Sequence, residues 1–167
     1  MLDEFLAAAE AAGAVVKRYN TVASAVGYIQ NLGNAGGMLT TDLPPDIMKA
    51  LPLASLPLAK DAAHASFCIS FAKAGIAATG SLLLDVSDPV KRSYTALPPV
   101  HVVFVRASSL VADFYALHDI LAHDLSSPQT AYLSITTGPS RTADIERVLT
   151  IGVHGPKELH VLVLEGE

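Results

Sequence analysis

Two short apolar runs, SLLLDV at 81–86 and VHVVFV at 100–105, restrict the fold more than any other feature of the chain. Each shows little alternation between apolar and polar positions, so neither leaves a whole face for water. Strands of this kind are buried on both sides, as in a parallel sheet covered by helices. AVVKRY (14–19), SFCIS (66–70), TAYLSIT (130–136) and LHVLVL (159–164) read as further strands, and residues 37–40 fit a short one.

The segments between them supply the helices. Leu2, Phe5, Leu6 and Ala9 recur on one face, which predicts a helix over Leu2–Ala12 with Gly13 as its stop. Asn20 or Thr21 caps a second helix to about Gln30, and Pro44-Pro45-Asp46 opens a short third. LPLASLPLA (51–59) reads as packed loop, KAGIAATG (73–80) as a small-residue turn and SDPVKRSYTALPP (87–99) as a polar connection. Ser108 or Ser109 caps a helix through about His123, with Leu110, Phe114, Leu117 and Leu121 inward, and Thr142–Leu149 reads as the last helix. Strands separated by helices of about ten residues imply crossovers. The expected fold is therefore α/β, a mostly parallel sheet between helical layers in one domain. Residues 1–60 form its N-terminal portion and 61–167 its core.

Composition narrows the function. The net charge is −5 and the eleven basic residues are scattered, which argues against a nucleic-acid partner. Hydrophobic residues make up 51% of the chain and the mean hydropathy is +0.41. Yet the longest stretch without Asp, Glu, Lys or Arg, Tyr19–Thr41, is broken by asparagines and glycines and does not suit a membrane span. The acidic start MLDEFLAAAEAAG is unlike a signal peptide, so a soluble cytoplasmic protein is expected. The single cysteine, Cys68, permits neither an internal disulfide nor a cysteine-ligated cluster, and its apolar setting predicts burial. No phosphate loop, dinucleotide loop, nucleophile elbow or zinc helix is present. No metal ligand set is expected.

Two segments carry candidate chemistry. In GPSRTADIE (138–146) a Gly-Pro turn leads into the expected helix, whose first N–H groups would lack partners. Gly138 permits close approach, Ser140 or Thr142 can cap, and Arg141 adds a charge with bidentate reach, an arrangement that suits a carboxylate or phosphate. The same residues also make an ordinary helix cap, and Asp144 and Glu146 would repel an anion. The second segment is Thr79-Gly80-Ser81, a turn with two hydroxyls feeding a buried strand. Among the six histidines, His118 reads as a hydrogen-bonded core residue and His123 as solvated; His64 lies in a loop, and His101 and His160 near strand starts. His154, in the turn GVHG, is the one placed to face a cleft. Asp144 and His154 are the catalytic candidates.

GIAATGSLLL, then R-x-x-T-A-L-P-P-V-H-V-V-F-V, then GPSRTADIE and GVHGPKELHVLVL, in that order and spacing, resemble the LUD-domain family, whose namesake is the lactate utilization protein C group. The resemblance covers residues 61–165. It implies a fold like that of the ribose-5-phosphate isomerase and coenzyme A transferase group. It also implies a role in oxidising L-lactate to pyruvate beside partner proteins that carry iron–sulfur clusters. The segments it marks are Thr79-Gly80-Ser81, Arg92, Pro98 to His101, Gly138 to Glu146, and His154-Gly155-Pro156. It transfers no catalytic assignment.

Three functional readings follow. The first is an accessory or substrate-handling subunit of a multi-protein lactate-oxidising system, with no cofactor of its own. The second is a stand-alone enzyme acting on a phosphorylated or coenzyme A-linked small molecule. A transferase of that kind would be expected to use a glutamate nucleophile, and Glu146 sits on the expected helix rather than at a strand end; an isomerase would need a base, for which Asp144 is the candidate. The third is a sensor that binds lactate or a related acid without reaction. In each, Thr79, Gly80, Ser81, Gly138, Ser140, Arg141 and Thr142 are expected to line a cleft for a small carboxylate or phosphate.

Overall fold

A computed structural model describes residues 1–34, 36–126, 131–143, 149–152 and 155–166. Its centre is a five-stranded parallel sheet in the order β1-β11-β6-β3-β2. These strands are β1 (Val15–Tyr19), β2 (Met38–Thr40), β3 (Phe67–Phe71), β6 (Val100–Arg106) and β11 (Glu158–Leu164). Side chains alternate across β6. Val102 and Phe104 join one core cluster, while Val103 and Val105 join the other. With apolar layers on both sides, the run has no polar face, as its sequence required.

The first layer holds α2 (Val22–Gly33) and α3 (Pro45–Ala50). The Thr21 hydroxyl accepts from the Ser24 amide, and the Ser24 hydroxyl accepts from the Thr21 amide, so the start of α2 is closed reciprocally. Val22, Ala25 and Ile29 then bury a stripe at helical spacing against Phe104 and Leu162. On the opposite face α1 (Leu2–Ala11) buries Phe5 and Ala9 against Val103 and Val161.

That second face also carries a four-stranded sheet, in the order β7-β4-β5-β8, which the strand count did not anticipate. SLLLDV is β5 (Ser81–Asp85) and TAYLSIT contains β8 (Leu133–Thr136), but the two pair antiparallel. The supposed turn KAGIAATG includes β4 (Ala74–Ile76), also antiparallel to β5. Residues 77–80 separate these strands, far fewer than the dozen or so a parallel crossover needs. The apolar character of β5 does reflect burial, but its neighbours are antiparallel rather than parallel.

Three connections also differ from expectation. The polar connection at 87–99 holds a helix, α4 (Pro89–Tyr94), started by the Asp88 carboxylate accepting from the Val90 and Lys91 amides. The helix expected from Ser108 or Ser109 to His123 begins only at α5 (His118–Leu125). Leu110 and Val111 form β7 instead, pairing with Gly75 and Ile76 of β4, and Phe114 is exposed. Sheet pairing of the β-branched Val111 outweighs the helical spacing there. His118 consequently lies in solvent beside Asp119, not in the core. Finally, no helix starts at Thr142. Arg141–Ala143 (β9) and Leu149–Ile151 (β10) pair antiparallel, with Thr142 opposite Thr150.

Candidate functional site

The two segments singled out in the sequence do meet. Ser81 Oγ lies 2.7 Å from Thr79 Oγ1 and 2.6 Å from Thr137 Oγ1, next to Gly138. What they enclose is the C-terminal end of α1. Gly80 has φ +65°, and a Cβ there would lie 2.1 Å from the Ala9 amide nitrogen. Gly138 has the same φ and would place a Cβ 2.3 Å from the Ala12 carbonyl oxygen. Both glycines exist for close approach, and the group that approaches is the chain's own helix.

Arg141 completes the arrangement by donating through Nη2 to the Ala12 carbonyl at 2.8 Å. A cation at a helix C-terminus meets the negative end of the dipole and satisfies an unpaired carbonyl. Arg141–Ala143 is the strand β9, so the described part of 138–146 is extended where a helix start was expected. Ser140 is tied into the neighbouring loop, its amide donating to the Pro156 carbonyl and its carbonyl accepting from the Gly152 amide. Asp144, Glu146 and His154 lie outside the described residues. Arg92 donates through Nε to the Val86 carbonyl and covers the Tyr132 ring at 4.2 Å, so it braces β5 against β8.

An open cleft of about 1020 Å³ lies elsewhere, past the C-terminal ends of β2 and β3. Ligands of open α/β sheets bind at such ends. Phe71, Leu84 and Ile120 supply apolar surface, and Ser70 a hydroxyl. Its charged lining is two lysines and five aspartates, arranged as two clamps. Lys73 Nζ lies 2.5 Å from Asp124 on α5 and 3.9 Å from Asp85 at the end of β5. Lys91 on α4 pairs with Asp42, and lies 3.8 Å from Asp88. Asp119 also lines the cleft. Burial raises the Asp124 carboxyl, but the hydrogen bonds from Lys73 and His123 outweigh it and hold the group below the usual carboxylate range. The hydrogen bond with Asp42 raises the Lys91 ammonium.

Two buried histidines sit within the parallel sheet. His160 Nδ1 is 2.9 Å from the Tyr28 hydroxyl and its Nε2 is 2.8 Å from Glu158. His101 is 1% exposed, and its Nε2 lies 2.6 Å from Ser70 Oγ. Burial pushes His101 down to about 4, so its ring is neutral at physiological pH. Cys68, its register partner on β3, is buried as expected, and burial pushes the thiol up to about 12. Sequence reading placed both histidines near strand starts. The signal for burial was a lone polar residue opening a run with no polar face. Among the described residues, no cluster of three or more His, Cys, Asp or Glu is arranged to hold a metal ion. No described helix is long and apolar enough to cross a membrane.

Comparison with known proteins agrees with this architecture. A DUF162 family protein from Deinococcus radiodurans, solved by crystallography, superposes with a TM-score of 0.69 at 22% identity, over 98% of this chain and 95% of that one. Lactate utilization protein C of Bacillus subtilis (strain 168) is 35% identical over 107 residues, which is 62% of this chain and 45% of that protein. Its namesake in Bacillus velezensis is 33% identical over 105 residues, covering 61% and 44%. The chain thus aligns with just under half the length of these relatives. The LUD domain matches residues 47–164, well over half of the sequence. This chain belongs to the LUD-domain family.

Proposed function

We propose that this chain serves lactate utilization as a substrate-handling or accessory subunit of a multi-protein system that oxidises L-lactate to pyruvate. Iron–sulfur clusters on partner proteins receive the electrons. The observation that supports this reading is the similarity, over 62% of the chain, to a lactate utilization protein C. Side-chain chemistry is consistent with it. Lactate oxidation releases two electrons and two protons, and the single thiol of this chain is buried, protonated and without a second thiol to pair with. In this reading the cleft past β2 and β3 holds the small acid. Its carboxylate takes over the Lys73 ammonium from Asp124, while the Thr79–Ser81 and Gly138–Thr142 segments keep α1 in place.

Affinity purification of the tagged chain from lactate-grown cells tests the proposal. It should recover iron–sulfur proteins, and lactate-dependent dye reduction should need the recovered assembly rather than the chain alone. Recovery of no such partner, together with normal growth on lactate after deletion, would count decisively against it.

One observation favours a second reading. At about 1020 Å³ the cleft is at the upper end of small-molecule sites, which run from about 300 to 1,000 Å³, and lactate would fill a small part of it. A phosphorylated or coenzyme A-linked ligand uses that space better. A thermal-shift panel of lactate, pyruvate, sugar phosphates and coenzyme A separates the two, since a ligand at a hundred times its Kd adds about 2.7 kcal/mol.

A further inference from the structure

We infer that Ser70 is the contact in the cleft that recognises a ligand hydroxyl, and that the buried His101 is the positioning residue that turns it toward that task. The inference rests on reading the cleft as the site of the small acid. Ser70 stands one residue before the end of β3 and lines the cleft, although it is only 2% exposed. His101 is on the neighbouring strand β6, in register with Cys68. Its side chain therefore leaves the same face of the sheet as Cys68 and Ser70. The 2.6 Å separation of Ser70 Oγ and His101 Nε2 is a full hydrogen bond.

The direction of that bond is set by the tautomer of His101. A serine hydroxyl buried to this degree needs an acceptor for its proton. With the ring proton on Nδ1, the tautomer this inference requires, the Nε2 facing Ser70 is the one nitrogen lone pair of the neutral imidazole. Ser70 then donates to His101, and its remaining lone pairs face the cleft. An oxygen presented in this way accepts from a ligand O–H or N–H and repels a carbonyl oxygen. The aspartates around it, Asp85, Asp119 and Asp124, are likewise acceptors when ionised. The selected class is a hydroxy acid over the matching keto acid, with its carboxylate left for Lys73. His101 is not a general base here. A proton taken from Ser70 would leave an imidazolium sealed in the sheet with no water around it.

Isothermal titration of the full chain with L-lactate and with pyruvate tests this. L-lactate should bind about tenfold or more tightly than pyruvate, because a site built for a hydroxyl rejects the analogue lacking it. Ser70→Ala should bring lactate down to the affinity of pyruvate, and Ser70→Thr should keep the preference. His101→Gln, whose amide can donate to Ser70 and turn the serine proton outward, should shrink or reverse the ratio without removing the hydroxyl. Circular dichroism checks that each variant folds, and the wild-type ratio decides the matter if one does not. Equal affinities in the wild type, with both lost in Lys73→Ala, overturn the Ser70 assignment and leave the cleft reading standing. Absence of binding by either acid, or binding untouched by Lys73→Ala and Lys91→Ala, overturns the cleft reading and this inference together.

Discussion

The parallel sheet and the rim that closes over α1 are held together by different physics. In β6 and β11 the contribution comes from burial: Val102 to Val105 and Leu159 to Leu164 lie almost wholly out of water between two apolar layers. That force has no direction, and many apolar residues could supply it. The rim depends on single atoms. Gly80 and Gly138 allow backbone to touch backbone, three hydroxyls join Thr79, Ser81 and Thr137, and one guanidinium closes the Ala12 carbonyl. The lesson concerns motifs. A Gly-Ser-Thr-Arg turn looks made for an anion, and in this fold its glycine and its guanidinium contact a helix of the same chain.

Emptying the sheet while sparing the rim should have the largest effect. Phe104 is fully buried among α2, α3 and β11, so Phe104→Ala should cost about 3–5 kcal/mol in urea unfolding, from lost transfer energy and a cavity. Ile135→Ala, on the half-exposed edge strand β8, should cost under about 1 kcal/mol. Similar losses at the two positions would mean that the second sheet shares the central core to a degree its burial does not suggest.

The buried His101 gives the next largest effect. His101 titrates at about 4 when folded, against an ordinary 6.5. Between those values the unfolded chain binds the proton and the folded one does not. The His101 contribution to stability should therefore be flat above pH 6.5 and decline as pH falls toward 4, by an amount on the order of 3 kcal/mol. Cys68 beside it is a neutral thiol in both states across this window, so it adds no slope there. The wild-type curve minus that of His101→Gln isolates the group from the five other histidines. A difference that does not change with pH would show that His101 takes up a proton in the folded state as readily as in the unfolded.

This contrast also explains what the sequence disclosed. SLLLDV, VHVVFV and LHVLVL announced strands because burial leaves a pattern in residue type, and Thr21 and Pro45 announced helix starts because caps are local. Pairing partners are not local. Nothing in the apolar character of β5 distinguishes a parallel neighbour from an antiparallel one; only the shortness of 77–80 did, and it required counting a loop rather than reading a strand. Asp88-Pro89 was a legible helix start hidden in a segment read as a connection. The helical spacing at 110–121 and the Ser-Arg-Thr start at 140–142 were real local signals that tertiary pairing overrode. The cleft shows the limit best. Its charges come from positions 42, 73, 85, 88, 91, 119 and 124, scattered through the chain, and only folding brings them to one wall.

Substitution of the rim's glycines sharpens the contrast from the other side. Gly80→Ala puts a methyl on a backbone that already touches Ala8 and Ala9, at a φ that side chains rarely adopt. It should cost about 2 kcal/mol or more. Gly27→Ala, in mid-α2 where an added Cβ meets nothing within 4 Å, should instead stabilise by about 0.5–1 kcal/mol. A loss at Gly80 well beyond the roughly 1–2 kcal/mol that its positive φ alone costs would show that the glycine is there for contact with α1. A loss no larger than that would mean that α1 does not press on this turn.

Arg141 gives the smallest expected effect and decides what the rim is for. As a cap on α1 it contributes one charge-assisted hydrogen bond at an exposed site, so Arg141→Ala should cost about 0.5–1 kcal/mol. Much of that loss should reappear in the wild type at high salt, because an exposed charge is screened. Titration of the variant with L-lactate should then give an affinity within about twofold of the wild type, since the cleft lined by Lys73 and Lys91 is untouched. The opposite pattern, unchanged stability with binding weakened about tenfold, would assign the guanidinium to a ligand carboxylate at 138–142. In that case the hold on Ala12 would be a resting contact of the empty protein, released when the acid arrives.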